Sequence, residues 1–449
     1  MSARLNFLCV SADELTLKRC QETAREFEYS YQQVPKIEAL VEMMDKFDLV
    51  QFVLYNASQV QNKDEISGAV QAIRQIFKDS FICVVVNKKI PPELASFVKK
   101  SGAHLLLLEN EFHETSRLEF IASQIIRASY VPVKLTEFPK DCVLDFTLFH
   151  LMPLNQKLIP VLPKGTPLAE GRMKKLEGIG EVFVKREEVD RYRHYVEGHP
   201  DMSGTGLKSR CRAQYLSFCN SHTQLIFLLL DQSESGSYKE GKWLYDRCEI
   251  LAKDLITTLS AVGEAWDIVN NSSIGEFGSV ERAPTIAAYS GLLSLLTTLG
   301  EPVEVMTAAL LSDVGMLELH PRITKKLRQT GNFEELSPED LEAYKKHPVL
   351  SVNRCLERKL QLPDGVKEFI LNTHERADGK GFPAGRTLDK IPQEAMLIQF
   401  SELIDRGAMI RMGHPRTSVQ QVRDSLMESE FKSGKIFSLA FMQKLKPVV

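Results

Sequence analysis

The strongest constraint on this chain is a set of four short apolar runs near its start, LNFLCV, DLVQFVLY, FICVVV and HLLLL. Each is too short for a core-facing helix, rich in Val, Leu, Ile and Phe, and apolar without alternation. That is the pattern of strands buried on both faces of a parallel sheet. A weaker strand is expected near 28–33, and amphipathic stretches at 64–77 and 93–100 supply crossover helices. Residues 5–128 therefore read as a doubly wound five-stranded α/β unit. Ligands of such sheets sit outside the carboxyl ends of the strands, which points to Asp13 beside Ser11 and Ala12, then Tyr55 and Asn56, then Asn87, then Glu109 and Asn110.

The chain has 449 residues, too many for one core, and 43% of them are hydrophobic against 26% charged, which suits a globular protein of about three units. The net charge of -3 argues against DNA or RNA as the main partner and leaves room for a local basic pocket. No apolar run approaches the ~20 residues of a bilayer span. Asp13 and Glu14 interrupt the start where a signal peptide would continue, so a cytoplasmic protein without a membrane partner is expected. The eight cysteines are scattered, with neither a zinc ribbon nor a disulfide framework.

Four segments are expected: the α/β unit at 1–135, a small α+β regulatory unit at 136–200, a helical connector at 201–270 and an all-helical unit at 271–449. In the second, 142–150, 157–162 and GEVFVKRE suit strands, while 168–176 and 187–197 suit helices. Residues 198–209 read as a turn-rich linker, and 211–230 and 241–269 as two long helices.

Chemistry gathers in the last segment. Its apolar helices, including 285–299, 303–317, 366–374 and 394–411, carry Asp313, His347, His374, Glu375 and Glu402 among hydrophobic neighbours. A carboxylate buried there costs several kcal/mol unless it is paired or metal-bound, so Asp313 requires a partner. LSPEDLEAYKKHP opens a further helix with Ser337 as N-cap.

The stretch 274–447 resembles the HD-GYP family of cyclic di-GMP phosphodiesterases, a branch of the HD-domain phosphohydrolases. HERADGKGFP is similar to the signature HHExxDGxGYP, SDVGM to HDIGK, KKHP to the helix of the middle His, RAPTIAAYS to HxxRVAxYS, FSELID to the late helix and GHPRTS to the RPY stretch. The resemblance implies a helical cage whose His and carboxylate ligands hold two or three metals, with bridging water attacking the phosphodiester. Carried over by position, the first-helix His is Arg282, the His of HD is Ser312, Asp313 is kept, and the following Lys is Met316. The middle His is His347, the paired His are Thr373 and His374, and the late Asp is Glu402. An acidic ligand is missing at Gly278.

The remnant metal set that the resemblance implies is Asp313, His347, His374 and Glu402, enough for one divalent ion (Mn²⁺, Fe²⁺ or Mg²⁺) and short of a two-metal site. No residue is put forward as catalytic. Lys326, Arg376, Asp378, Gly379, Lys380, Gly381, Phe382 and Arg416 fall in the stretches that line the family's nucleotide groove. The expected function is a degenerate, inactive HD-GYP protein that senses cyclic di-GMP or docks on a signalling protein such as a diguanylate cyclase, or on a second copy as a homodimer. The alternative is a weak metal-dependent phosphohydrolase acting on cyclic di-GMP or another nucleotide.

The first unit resembles a response-regulator receiver domain in element order. Its expected phosphorylation pocket holds Asp13, Asn56, Asn87 and Glu109 where that family has an acidic pair, a phospho-accepting Asp, Ser or Thr, and Lys. The resemblance thus implies a pseudo-receiver that docks instead of switching.

Overall fold

The computed structural model describes residues 3–448 apart from 45, 61, 88–90, 153–156, 177, 179–180, 200, 202, 233–236, 273–279 and 410–416. Five strands, β1 (Ala3–Val10), β2 (Tyr31–Val34), β3 (Phe47–Asn56), β4 (Phe81–Val86) and β5 (Leu105–Leu108), form a wholly parallel sheet of order β2-β1-β3-β4-β5. The expected helices appear at Lys63–Ile76 and Pro92–Lys100. Because side chains alternate across a strand, the apolar runs divide between two cores. Leu8, Val53 and Val84 face the crossover helices. Phe7, Phe52 and Cys83 belong to a core that continues into the helical half of the molecule.

That shared core is stitched at its edges. The helix Arg117–Ile126 contributes Arg117, 1% exposed, whose guanidinium lies 2.6 Å from both Glu111 and Glu318. Ser116 donates to the Leu319 carbonyl (2.8 Å), and Arg328 reaches back to Glu26 (2.6 Å). The open edge of β5 is covered by the chain leaving the long helix Gly204–Leu230. Asp231 accepts the Leu106 N–H and pairs with Lys99, while the Gln232 N–H donates to Leu106. Covering an edge in this way removes a template for unwanted pairing.

A second sheet, of order β6-β9-β7-β8, is antiparallel: β6 (Tyr130–Lys134), β7 (Leu148–Met152), β8 (Lys157–Leu162) and β9 (Glu181–Lys185). It starts earlier than residue 136, because β6 pairs along its whole length with β9. The strand expected over 142–150 is confined to 148–152, with only an isolated bridge at Val143. Small as it is, this unit has its own core, in which Phe138, Phe146, Val184 and Tyr192 are buried.

The expected linker is shorter than 198–209, since Ser203 caps a helix that begins at Gly204 by accepting the Gly206 N–H (3.2 Å). The stretch 241–269 divides between the helices Ser237–Ser260 and Ala265–Ser272. No helix among the described residues is long and apolar enough to cross a membrane.

Candidate metal centre

Three helix ends and one helix middle converge in the C-terminal half. The helix Pro302–Leu311 stops short of the expected 303–317, and Asp313 leads into a 3-10 turn, Val314–Glu318. Two features hold that turn against the helix His347–Glu357. Gly315 packs so closely that a Cβ would fall 2.1 Å from the His347 carbonyl oxygen. The Ser351 hydroxyl accepts the Gly315 N–H (2.7 Å) and donates to the Ser312 carbonyl (2.6 Å). His374 follows the helix Asp364–Asn372, and Glu402 lies within Gln393–Ala408.

One atom from each of Asp313, His347 and His374 lies within 4.8 Å of the others, and this is the one such three-residue group among the described residues. His347 Nδ1 is 2.7 Å from the Tyr344 carbonyl oxygen, so it carries the proton and leaves Nε2 as a lone pair. That Nε2 is 2.9 Å from His374 Nε2 and 3.6 Å from Asp313 Oδ1. Glu402 stands behind the ligand atoms, 3.5 Å from His374 Nδ1, where it can orient the imidazole. It therefore supports the expected ligand set from outside the convergent group. Burial, reinforced by Glu402 and Asp405, pushes the Asp313 carboxyl upward. Burial likewise holds both imidazoles neutral, with His374 also beside Arg406. Two neutral nitrogens and one carboxylate oxygen suit a single divalent ion.

The substituted positions are filled differently. Arg282 is buried and donates to both Asp405 oxygens, through Nε at 3.0 Å and through its terminal nitrogen. Desolvation opposes its charge, but Asp405 outweighs this and holds the guanidinium protonated. Ser312 donates to Ala309 (3.0 Å) and Thr373 to Ile370 (3.0 Å), both turned back on helix carbonyls. Met316 is apolar and buried. Asp405 was missed in the sequence, although a carboxylate one turn beyond Glu402 answers the requirement of a buried arginine.

The signature loop is tied to itself. Phe382 is buried, with its ring stacked on His374 at 4.7 Å and edge-on to Tyr344 at 5.7 Å, so it roofs the imidazoles instead of offering a face to a nucleotide. Arg376 is paired with Asp378 (2.7 Å), and Asp378 also accepts the Lys380 N–H (3.1 Å). Gly379 takes a positive φ of 71° and donates to Arg376. A Cβ on Gly381 would lie 2.4 Å from the Arg376 nitrogen, so its role is to let the loop close on itself. Buried Glu375 fastens the loop's far side by accepting the Ala384 and Arg386 N–H groups, both at 2.7 Å. Lys380 remains exposed, and Lys326 lies 3.6 Å from Glu335. Arg416 and Gly278 lie outside the described residues.

At the carboxyl edge of the parallel sheet, Asp13 caps the helix Glu14–Glu26 by accepting from Thr16 N (2.8 Å) and Thr16 Oγ1 (2.6 Å). The Asn56 amide donates to the same hydroxyl (2.8 Å) and accepts the Ser58 N–H (2.9 Å). Asn87 is exposed after β4, and Glu109 opens a short helix after β5.

Residues 267–425 match the family model described as HD domain, and this C-terminal region is an HD domain. The cyclic di-GMP phosphodiesterase of Thermotoga maritima is 27% identical over 226 residues, covering 49% of this chain and 54% of that protein. The chain thus spans about half the length of the curated relative it matches. Among solved structures it is similar to Bd1817, an HDG"Y"P protein from Bdellovibrio bacteriovorus, over 71% of this chain and 99% of that one, at 19% identity and a TM-score of 0.45.

Proposed function

We propose that this chain is a degenerate HD-GYP signalling protein that does not hydrolyse cyclic di-GMP at a useful rate and works by sensing a nucleotide or docking on a protein partner. The observation that carries the reading is the Arg282–Asp405 pair. A fixed guanidinium stands where the family resemblance implies a metal-binding imidazole, and Asp405 is already neutralised by it. One ion at Asp313, His347 and His374 could polarise a phosphoryl oxygen or bind water. A two-metal clamp on both the attacking and leaving oxygens lacks its second half. The receiver-like unit supports the same reading, because Asn56 cannot form an acyl phosphate; it acts as a docking surface for a signalling protein such as a diguanylate cyclase, or for a second copy.

The test is to incubate the purified, Mn²⁺- or Fe²⁺-loaded protein with cyclic di-GMP and follow linear and mononucleotide products, with elemental analysis alongside. The reading expects at most one ion per chain, and no product beyond that formed by Asp313→Ala. Two ions with turnover that Asp313→Ala abolishes would refute it. The intact Asp313, His347 and His374 group favours a second reading, a slow single-metal phosphohydrolase acting on cyclic di-GMP or another nucleotide. That reading fails if His347→Ala leaves metal content unchanged.

A further inference from the structure

The two sheets meet at the amino-terminal edge of the parallel sheet, opposite the edge where ligands of such sheets ordinarily sit. Their junction is a cleft of about 620 Å³, within the range of small-molecule sites. One wall comes from the starts of β1, β3 and β4 through Arg4, Leu49 and Phe81. The other comes from Tyr130 of β6 with Lys185 and Arg186 at the end of β9, and Phe227 of the helix Gly204–Leu230 also lines the space.

The charge on these walls is unlike that of the whole chain. Arg4, Arg74, Lys78, Lys185 and Arg186 line the cleft against two carboxylates, Asp79 and Glu187, in a protein whose net charge is -3. The cations are only partly offset by carboxylates, Asp79 acting on Arg74 and Glu281 on Arg186. Arg4 Nε is buried without a hydrogen-bond partner, and burial pulls that guanidinium's pKa down. Arg186 donates to the neutral oxygens of Gln124, Thr223 and Cys219. Arg74 is fixed by the carbonyls of Ser80 (2.9 Å) and Gly102 (2.8 Å). Lys185 has a carboxylate near it, Glu187 at 3.5 Å.

Clustered cations in a concave, partly desolvated space repel one another and focus a positive potential, which an anionic ligand would relieve. The cleft also offers a flat surface. Phe81 stacks on His104 at 4.7 Å, and His104 Nδ1 accepts the Ile82 N–H (3.0 Å), which leaves Nε2 as the ring's donor.

We propose that this cleft binds a phosphorylated small molecule of nucleotide size, its phosphate among Arg4, Lys78 and Arg186 and its ring against Phe81 and His104. The inference stands apart from the metal centre and from whether that centre turns over.

The test is calorimetry of the full-length protein with pyrophosphate and with GMP, in EDTA so that the Asp313 site holds no ion. Saturable heat is expected, weakening as salt rises. Arg4→Gln and Lys78→Gln should each reduce affinity about tenfold, the scale of one lost charged hydrogen bond, while Asp313→Asn leaves it unchanged. The proposal is overturned by an absence of saturable heat with both probes at millimolar concentration. It is equally overturned if the Arg4→Gln/Lys78→Gln double variant, folded by circular dichroism, binds like the parent, or if Asp313→Asn abolishes binding.

Discussion

The carboxyl edge of the parallel sheet and the cage of the HD domain have both departed from the patterns they resemble, and they have done so differently. At the sheet edge, Asp13, Thr16 and Asn56 satisfy one another, and Asp13 has become a helix cap. In the cage, Asp313, His347 and His374 still aim lone-pair atoms at one point, while Arg282 supplies a built-in cation beside them. Polar groups that satisfy one another locally, as Asp13, Thr16 and Asn56 do, make ordinary structure. Buried ionisable groups cannot do so at low cost, so a partly substituted cage keeps half of its geometry and must provide a counter-ion for the rest.

The largest effect should come from restoring the missing imidazoles. In the triple variant Arg282→His, Ser312→His and Thr373→His, Asp405 is released from its guanidinium and three nitrogens return to the cage. Metal content should rise towards two ions per chain, and cyclic di-GMP cleavage should exceed that of the parent by about a hundredfold or more, the scale of one lost transition-state stabiliser. A triple variant that folds and gains metal yet remains inert would break the comparison. Next in size is Arg282→Ala alone, which leaves Asp405 buried and unpaired and should cost about 3–5 kcal/mol. Adding Asp405→Ala should recover part of that loss, as read from urea-unfolding midpoints. An Arg282→Ala protein as stable as its parent would mean the pair does not stand in for an ion.

What the sequence disclosed follows the reach of its signals. The parallel strands were legible because burial on both faces leaves an unbroken apolar run, and Ser337 was legible as a cap because its chemistry is local: it accepts the Asp340 N–H at 3.2 Å. Asp313, His347 and His374 were legible through motif spacing, and the structure brings them together. The partner of Arg282 was hidden, since nothing local to either residue announces a pairing across 123 positions. Phe382 was expected at a nucleotide because motif position says nothing of side-chain direction, and its ring turns inward onto His374. The basic cleft was equally hidden, being assembled from strand starts, a strand end and a helix that meet only after folding.

The sheet edge offers a smaller test. Asn56→Asp replaces an amide donor to Thr16 with an acceptor close to Asp13, removing one hydrogen bond and adding like charge. A loss of about 1–2 kcal/mol is expected, with no phosphoryl uptake from acetyl phosphate by intact mass. Uptake of one phosphoryl group would show that a single substitution revives this edge, and the contrast with the cage would then vanish.

The smallest effect is a slope in pH. Burial raises the Asp313 carboxyl in the ion-free protein, so the folded state holds that proton more tightly than the unfolded chain does. Wherever the folded state binds more protons, stability falls as pH rises. His347 and His374 act in the opposite sense, because burial lowers both and the unfolded chain binds their protons below about pH 6.5. Above that pH both imidazoles are neutral in either state, and the carboxyl slope remains, at most about 1.4 kcal/mol per pH unit for one proton. Glu402, pushed up by burial to about 7, adds in the same sense at the lower end of that range. In EDTA, the melting temperature should therefore decline from pH 6.5 to 8, and Asp313→Asn should flatten the decline. Mn²⁺ should reverse the sign, stabilising more at pH 8 than at 6.5, because an ion displaces the proton from its ligand. Parallel slopes for the parent and Asp313→Asn, with no response to Mn²⁺, would make Asp313 as self-contained as Asp13 and erase the distinction between the two regions.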